Sequence, residues 1–489
     1  MSSLRTEERL ELQHDLSQMG SQGRAEGEPV EKLSGTFYPV KEHLRMLDPE
    51  VVLVVGPRGS GKSEIFRVLT ETGLLDAVVA QAGGRSLPSP EKMEWRKAYP
   101  AGHGVFDANG LRRFLALGNG SSQPIQDLWF AYLVRLVCDP DDGSQDLQAL
   151  HNARGGSISE VHGAWAAAGD APLLALDDLD ERLERQDRYL FVAYDELDTL
   201  GGSDWEAMAA GISGLVAFWA AYARRWRRIR PKVFLRTDLF DRFAVSGGAD
   251  LAKLAAGRVD LAWSDRQLYA MLLRRVASTS SKLSQYLRDI KTNVEWQDVP
   301  KLGFLPTLKR WTDARPLIER MVGPYMGSNK KKGLSHRWPL AHVRDGRGRA
   351  VPRPLVRLFE EAARFETDGP NAVGGMRILH PSSLRRALDR VSSEHVDHAH
   401  DEWHWMEALR GRLDGHLVPI ERRQMEKLLN EDDRQVGSPP VTPFTDTRDF
   451  VTYLVEVGIL RQRPDGRIDA PDLFLHGLGL KRKGGVQRR

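Results

Sequence analysis

Val51-Val-Leu-Val-Val-Gly-Pro-Arg-Gly-Ser-Gly-Lys-Ser63 is the stretch whose reading decides the fold. Five consecutive apolar residues, Val51 to Val55, suit a strand covered on both faces of a sheet. Gly56-x-x-x-x-Gly61-Lys62-Ser63 then fits the phosphate-binding pattern G-x-x-x-x-G-K-[ST] at every fixed position. Glu64 to Glu71 reads as the helix behind it. Gly59 and Gly61 lack Cβ, so the loop Gly56-Pro57-Arg58-Gly59-Ser60-Gly61 can wrap a phosphate with its N–H groups pointing inward. The helix start, with Glu64 in its first turn, adds unpaired donors and a positive dipole end. Lys62 supplies a point charge for the β- and γ-phosphates, and the Ser63 hydroxyl is a Mg²⁺ ligand of the right kind.

Outward from the loop, two stretches compete to supply the acids that such a site needs. Leu173-Leu-Ala-Leu-Asp-Asp-Leu-Asp180 and Tyr189-Leu-Phe-Val-Ala-Tyr-Asp-Glu-Leu-Asp198 both run from apolar to acidic. Leu176, Leu179 and Leu183 recur at helical spacing, which predicts a helix over 173–187. Tyr, Phe, Val and Tyr favour a central strand over 189–194. Asp195 therefore ends a strand, where it can hold Mg²⁺, and Glu196 can orient and deprotonate an attacking water. Asp177 and Asp178 remain the alternative pair. Lys232 to Phe240 reads as a further buried strand ending in Arg236, Thr237 and Asp238. An arginine there needs a partner, either a γ-phosphate or a carboxylate such as Asp195 or Asp198.

The remaining core follows the same alternation. Ala77 to Gln81 reads as a second strand and residues 84 to 187 as mostly helical. The span 204–227 reads as a long helix, 259–263 as a last strand, and Ser264 to Gln267 as the capped start of a helix. Strands alternating with helices point to a parallel α/β sheet, with the loop, Asp195 and Arg236 at its ligand-binding carboxyl edge.

Size and composition set the outer limits. A chain of 489 residues suggests about three domains. Seventy Lys and Arg against 67 Asp and Glu leave +3, no signature of a polyanion binder by itself. Basic runs do occur at 224–232, 328–333, 343–349 and 481–489, where phosphate contact and a solvated face are both open readings. A single cysteine, Cys138, excludes an intrachain disulfide framework and suits a reducing cytosol. No secretory signal or membrane span is expected. His395, His398, His400 and His404 lie among Asp397, Asp401 and Glu402, yet no zinc-binding spacing is present. A solvated helix with Trp403 and Met406 packed inward is the expectation.

Pro352 and Pro354 open a helix at Val351, where Arg353 either points back to the nucleotide or lies on the surface. Residues 421–430 and 446–457 read as helices, and 458–469 as strand, Pro-Asp-Gly turn and strand. That is a winged-helix arrangement. Its second helix offers only Arg448 as a base, so protein docking is favoured over reading a DNA groove.

Gly56 to Ser63, Tyr194-Asp-Glu-Leu-Asp198, Phe234-Leu-Arg-Thr-Asp-Leu-Phe240 and Val351-Pro-Arg-Pro-Leu355, in this order, resemble bacterial P-loop ATPases of the AAA+/STAND group. The tail around Tyr453 to Leu460 and Leu475 to Leu480 resembles their winged-helix end. The resemblance implies a P-loop NTPase parallel sheet with the acidic strand beside the loop strand, a helical insertion, a helical lid and a C-terminal winged-helix-like domain. It implies ATP and Mg²⁺ as ligands, Lys62 and Ser63 on phosphate and metal, Asp195 on metal, Glu196 as catalytic base, Arg236 as a sensor and Arg353 as a second sensor. An arginine finger stays unassigned between Arg242 and Arg258. Partners implied are further copies of the chain, an effector protein and double-stranded DNA, in a cytoplasmic setting of defence against phage or mobile DNA. The expected layout is a flexible segment at 1–33, the ATPase core at 34–277 with an insertion at about 84–172, the lid at 278–395 and the winged-helix-like domain at 396–489.

Overall fold

The computed structural model describes residues 3–20, 29–83, 87–100, 108–117, 123–139, 145–153, 157–202, 204–246, 254–255, 257–369, 373–400, 403, 405–430 and 446–483. The chain divides into two compact units. One comprises Glu28–Ser34 and Pro39–Leu261, the other Met1–Gly27, Gly35–Tyr38 and Ala262–Arg489.

The first unit is built on a five-stranded parallel sheet. Its strands are β1 (Leu53–Gly56), β2 (Met93–Tyr99), β3 (Tyr189–Tyr194), β4 (Ile229–Arg236) and β5 (Val259–Asp260), in spatial order β2-β3-β4-β1-β5. This corrects one expectation: the acidic strand β3 is not beside the loop strand, because β4 runs between them. Gly56 pairs with Arg236, and Tyr194 pairs with Val233 and Tyr99. All three strand ends therefore open on one edge.

Two further differences concern β2. Ala77 to Gln81 is not a strand; Leu75–Ala80 is a short helix, since an isolated apolar quartet carries no periodicity of its own. The missing strand is Met93–Tyr99, inside the span read as helical. It sits at the sheet edge and carries Glu94, Arg96 and Lys97, which disguise it as a surface segment. The insertion is otherwise helical as expected, with Ala108–Leu117, Gln123–Val137, Gln145–Asn152, Ile158–Ala167 and Ala171–Arg185.

The second half of the basic run at 224–232 turns inward. The helix before it, Trp205–Tyr222, ends five residues sooner than expected, and β4 begins at Ile229 rather than Lys232. Arg225 and Arg228 pair with Asp177 and Asp187. Arg230 donates to the Pro49 and Ala223 carbonyls at 2.8 and 3.0 Å, and Lys232 to those of Asp48 and Val51. Burial pushes the Lys232 ammonium well below its ordinary value. Arg230 and Lys232 thus hold the entrance of β1, while Arg224, Arg225 and Arg227 stay exposed.

In the second unit, helices Asp265–Thr279, Ser281–Arg288, Arg315–Val322, Pro352–Asp368 and Pro381–His400 enclose one core. Ser264 and Gln267 form the expected capping box. Ser278 to Ser281 is not a loop: the helix runs to Thr279 and Ser280 caps the next. An antiparallel hairpin, Glu295–Val299 with Gly303–Thr307, went unforeseen. The N-terminal segment is not a free tail over its described residues. Helix Thr6–Ser17 buries Leu12 and Leu16, and Gln13 donates to the Ile378 carbonyl at 2.9 Å.

A second hydrophobic core gathers Trp405–Leu413, Arg422–Asn430 and Thr447–Val457 with the hairpin Arg461–Gln462 and Ile468–Asp469. This is the winged-helix-like module. Arg461 and Arg482 both close on the buried Asp469. His395, His398 and His400 lie on helix Pro381–His400, while Asp401, Glu402 and His404 lie outside the described residues. The tail beyond Lys483 does too.

Close helix contact in the first unit depends on Gly214. A Cβ there would meet Ile125 Cγ2 at 2.4 Å, and one turn away Trp129 Nε1 donates to the Gly211 carbonyl at 2.9 Å. Gly214→Leu is expected to destabilise this unit by about 1–3 kcal/mol through overpacking, measured as a lower urea midpoint. An unchanged midpoint removes the close approach as a constraint.

Candidate functional site

The loop's glycines are required by its geometry. A Cβ on Gly56 would lie 2.5 Å from Ser60 Oγ and 2.9 Å from Leu261 Cβ. Gly61 has φ +94 at the helix N-cap, in the left-handed region that side chains disfavour. The helix Lys62–Glu71 starts at once, its first turn holding Ser63 and Glu64. Lys62 Nζ donates to the carbonyls of Gly56 at 2.9 Å and Pro57 at 3.1 Å. Burial lowers the Lys62 ammonium from its ordinary value, opposed by the charge of Asp195.

Asp195 immediately follows β3 and is 2% exposed. Its carboxyl accepts from the Ser63 hydroxyl and the Glu196 N–H. Among the described residues its buried Oδ2 has no hydrogen-bond partner. Burial raises the carboxyl to about 6, against the pull of Ser63 and Lys62. An orphaned anionic oxygen beside a hydroxyl is a hard oxygen donor set that fits Mg²⁺. The structure thus brings Lys62, Ser63 and Asp195 together. Asp177 and Asp178 are elsewhere, on helix Ala171–Arg185, with Asp177 bonded to Arg225 and to Trp226 Nε1 at 2.8 and 3.0 Å.

Glu196 occupies the left-handed region at φ 52, ψ 31, uncommon for a residue with a side chain. Its backbone is braced. Thr199 Oγ1 donates to the Glu196 carbonyl at 2.8 Å, so the Tyr99 hydroxyl must donate to Thr199 Oγ1, also at 2.8 Å. The Tyr99 carbonyl accepts from the Asp195 N–H at 2.8 Å. Burial raises the Tyr99 phenol, and the charges of Glu196 and Asp198 add to this, which keeps it a donor. Tyr99 ends the unforeseen strand β2, so only the sheet order reveals its place; no local motif signals it.

Arg236 ends β4 and is 7% exposed. Its partners include Asp238 and Asp198, so the carboxylate reading of its pairing holds in part, with Asp238 rather than Asp195 as the second acid. Arg258 pairs with Asp260 at 3.2 Å and stacks on Phe240. Nothing is described of the Arg242 side chain. Arg353 lies in the first turn of helix Pro352–Asp368, in the other unit.

No family model matches the chain, and no curated protein matches it in sequence. Among solved structures it is similar to the ORC2 protein of Aeropyrum pernix, solved as ADPNP–ADP complexes, at 13% identity and TM-score 0.37 over 91% of each chain. It is similar to the Walker-type ATPase of Pyrococcus abyssi at 14% identity and TM-score 0.38, over 91% of this chain and 99% of that one. It is also similar to the Aeropyrum pernix ORC1 protein, solved in complex with DNA, at 12% identity and TM-score 0.34, over 90% and 89%. At this level of likeness the site has to be read from its own geometry.

Two outcomes are expected from that geometry. A carboxyl raised from 3.8 to about 6 favours the folded state when protonated. Ionising it therefore costs stability as pH rises through that window, in full about 3 kcal/mol. Nucleotide-free Asp195→Asn protein should be the more stable at pH 8, with the gap closing below pH 4; equal urea midpoints at pH 8 would refute this. If Glu196 is the catalytic base expected from the sequence, Tyr99→Phe should lower turnover by roughly 10- to 100-fold by misplacing it, with KM little changed. A KM effect alone would show that the brace does not serve the chemistry.

Proposed function

We propose that this chain binds ATP with Mg²⁺ and hydrolyses it, as a nucleotide-driven switch or motor of AAA+/STAND type. One observation carries the reading: the loop that cradles a phosphate and the strand that ends in Asp195-Glu196 meet at one sheet edge, joined by Ser63. The N–H groups of residues 58–63 and the Lys62 ammonium hold the β- and γ-phosphates. Ser63 and Asp195 would hold Mg²⁺, which neutralises phosphate charge when bound. Glu196 takes a proton from water as the water oxygen attacks the γ-phosphorus. The bond from that phosphorus to the β–γ bridging oxygen breaks, leaving ADP and inorganic phosphate. Arg236 and Lys62 offset the charge on the phosphoryl oxygens.

The output is assembly, with another copy of the chain or with an effector protein. The winged-helix-like module supports this, since its helix Thr447–Val457 exposes Asp449 and Glu456 beside Arg448 and suits protein docking better than a DNA groove. A setting in bacterial defence rests on the motif resemblance alone. Arg353 as a second sensor rests on the same resemblance.

Lys62→Ala should abolish ATP binding and turnover together, whereas Glu196→Gln should abolish turnover and keep binding, read by calorimetry and phosphate release. Normal hydrolysis by Glu196→Gln alongside a dead Asp178→Asn would move the site to the other acidic pair.

A second reading, contact with duplex DNA, is favoured by one feature of the second unit. Lys330–Lys332 form an exposed turn, and their ammoniums have no ion pair among the described residues. Replacing all three by Ala should flatten the slope of log affinity against log salt by roughly 2–3. An unaltered slope excludes the turn from any such contact.

A further inference from the structure

Two carboxylates, Asp238 and Asp198, hold Arg236 in unequal ways. Asp238 grips one edge of the guanidinium bidentately, Nε to Oδ1 at 3.0 Å and Nη2 to Oδ2 at 2.8 Å. It lies two residues on, in the first turn of helix Thr237–Ser246, so the strand-to-helix junction itself builds the grip. Asp198 reaches the other edge with a single contact, Nη1 to Oδ2 at 3.3 Å. That is well beyond the ~2.7–2.9 Å of a strong charge-assisted bond. Asp198 also belongs to the Leu197–Thr199 turn, immediately after Glu196. The Lys62 ammonium senses Asp195, Asp198, Asp238 and Arg236 together, so all of these stand around the place where phosphates would lie.

We propose that Asp198 is an exchangeable counter-ion, displaced from Arg236 by the terminal phosphate of a nucleoside triphosphate. Asp238 keeps the guanidinium fixed while its Nη1 edge changes partner. The third phosphate offers a full anion at closer range than Asp198 does. A diphosphate lacks the group that competes and leaves the Asp198 contact in place. The exchange releases the turn that also positions Glu196, so the catalytic carboxylate answers to the number of phosphates bound. Asp198 and Asp238 are positioning residues here, acting through Arg236. The inference rests on the ATP-binding reading above and assigns the triphosphate-sensing step of the same site.

The test compares two ligands on the full chain with Mg²⁺: a non-hydrolysable ATP analogue and ADP, by isothermal calorimetry. Asp198→Asn removes the competing charge and should tighten the analogue by about 5- to 30-fold, the range for one charge-assisted contact. ADP affinity should stay within about twofold of native on the same principle, which also confirms folding. Asp238→Asn should weaken the analogue and spare ADP. Equal tightening of both ligands by Asp198→Asn would mean a general field effect and overturn the exchange, as would no change in either. If the native chain binds neither ligand, the ATP-binding reading itself falls, and this inference with it.

Discussion

The Ser63 hydroxyl on the Asp195 carboxyl joins two elements that share no strand pairing. The loop belongs to β1 and the acid to β3, with β4 between them. Everything else in the first unit serves this meeting. Gly56 and Gly61 let the loop fold back tightly enough to present Ser63. The parallel register ends β3 level with Leu53 in the ladder through Val233, so Asp195 reaches the helix start from below the loop. Arg230 and Lys232 fix the other end of the sheet by binding the carbonyls that lead into β1. A carboxyl held in this way is expensive to keep ionised, and burial pushes it up to about 6.

The parts legible in the sequence are those whose chemistry is local. Gly56 to Ser63 is a contiguous motif with its strand and helix attached. Asp195 and Glu196 were separable from Asp177 and Asp178 because leucine spacing marks one stretch as helix and aromatic, β-branched residues mark the other as strand. Arg236 announces itself as a cation ending an apolar run. Tyr99, Asp198 and Asp238 carry no such mark. Their roles arise from which strands are neighbours, a long-range property. The order of the sheet was misjudged for the same reason, since β4 follows β3 in sequence but intervenes between β3 and β1 in space. β2 was hidden by its edge position, where alternating charges replace the continuous apolar run of a central strand.

The second unit shows a different limit. Its helix Thr6–Ser17 is polar in composition, yet Leu12 and Leu16, one turn apart, with Gln13 between them, are enough to bury one face. Composition averaged over the segment conceals that stripe. The winged-helix-like module was readable from helix lengths and the Pro464-Asp465-Gly466 turn, because turn chemistry is local.

Charge in the site bears on how the proposed phosphate and metal ligands would come together. Arg236 is matched by Asp198 and Asp238, and Lys62 is bound to uncharged carbonyls. Asp195 is left with a hydroxyl, a backbone N–H and a lysine whose own charge is weakened by burial. Asp195, Asp198 and Asp238 stand with Arg236 around the Lys62 ammonium, so a cation arriving with an anionic ligand would offset part of this negative charge. On the proposed ATP-binding reading, a polyphosphate would displace the carbonyls from Lys62 and bring a compensating cation to Asp195. The protein's own carbonyls thus cover the Lys62 ammonium, while Asp195 keeps one buried oxygen without a hydrogen-bond partner among the described residues.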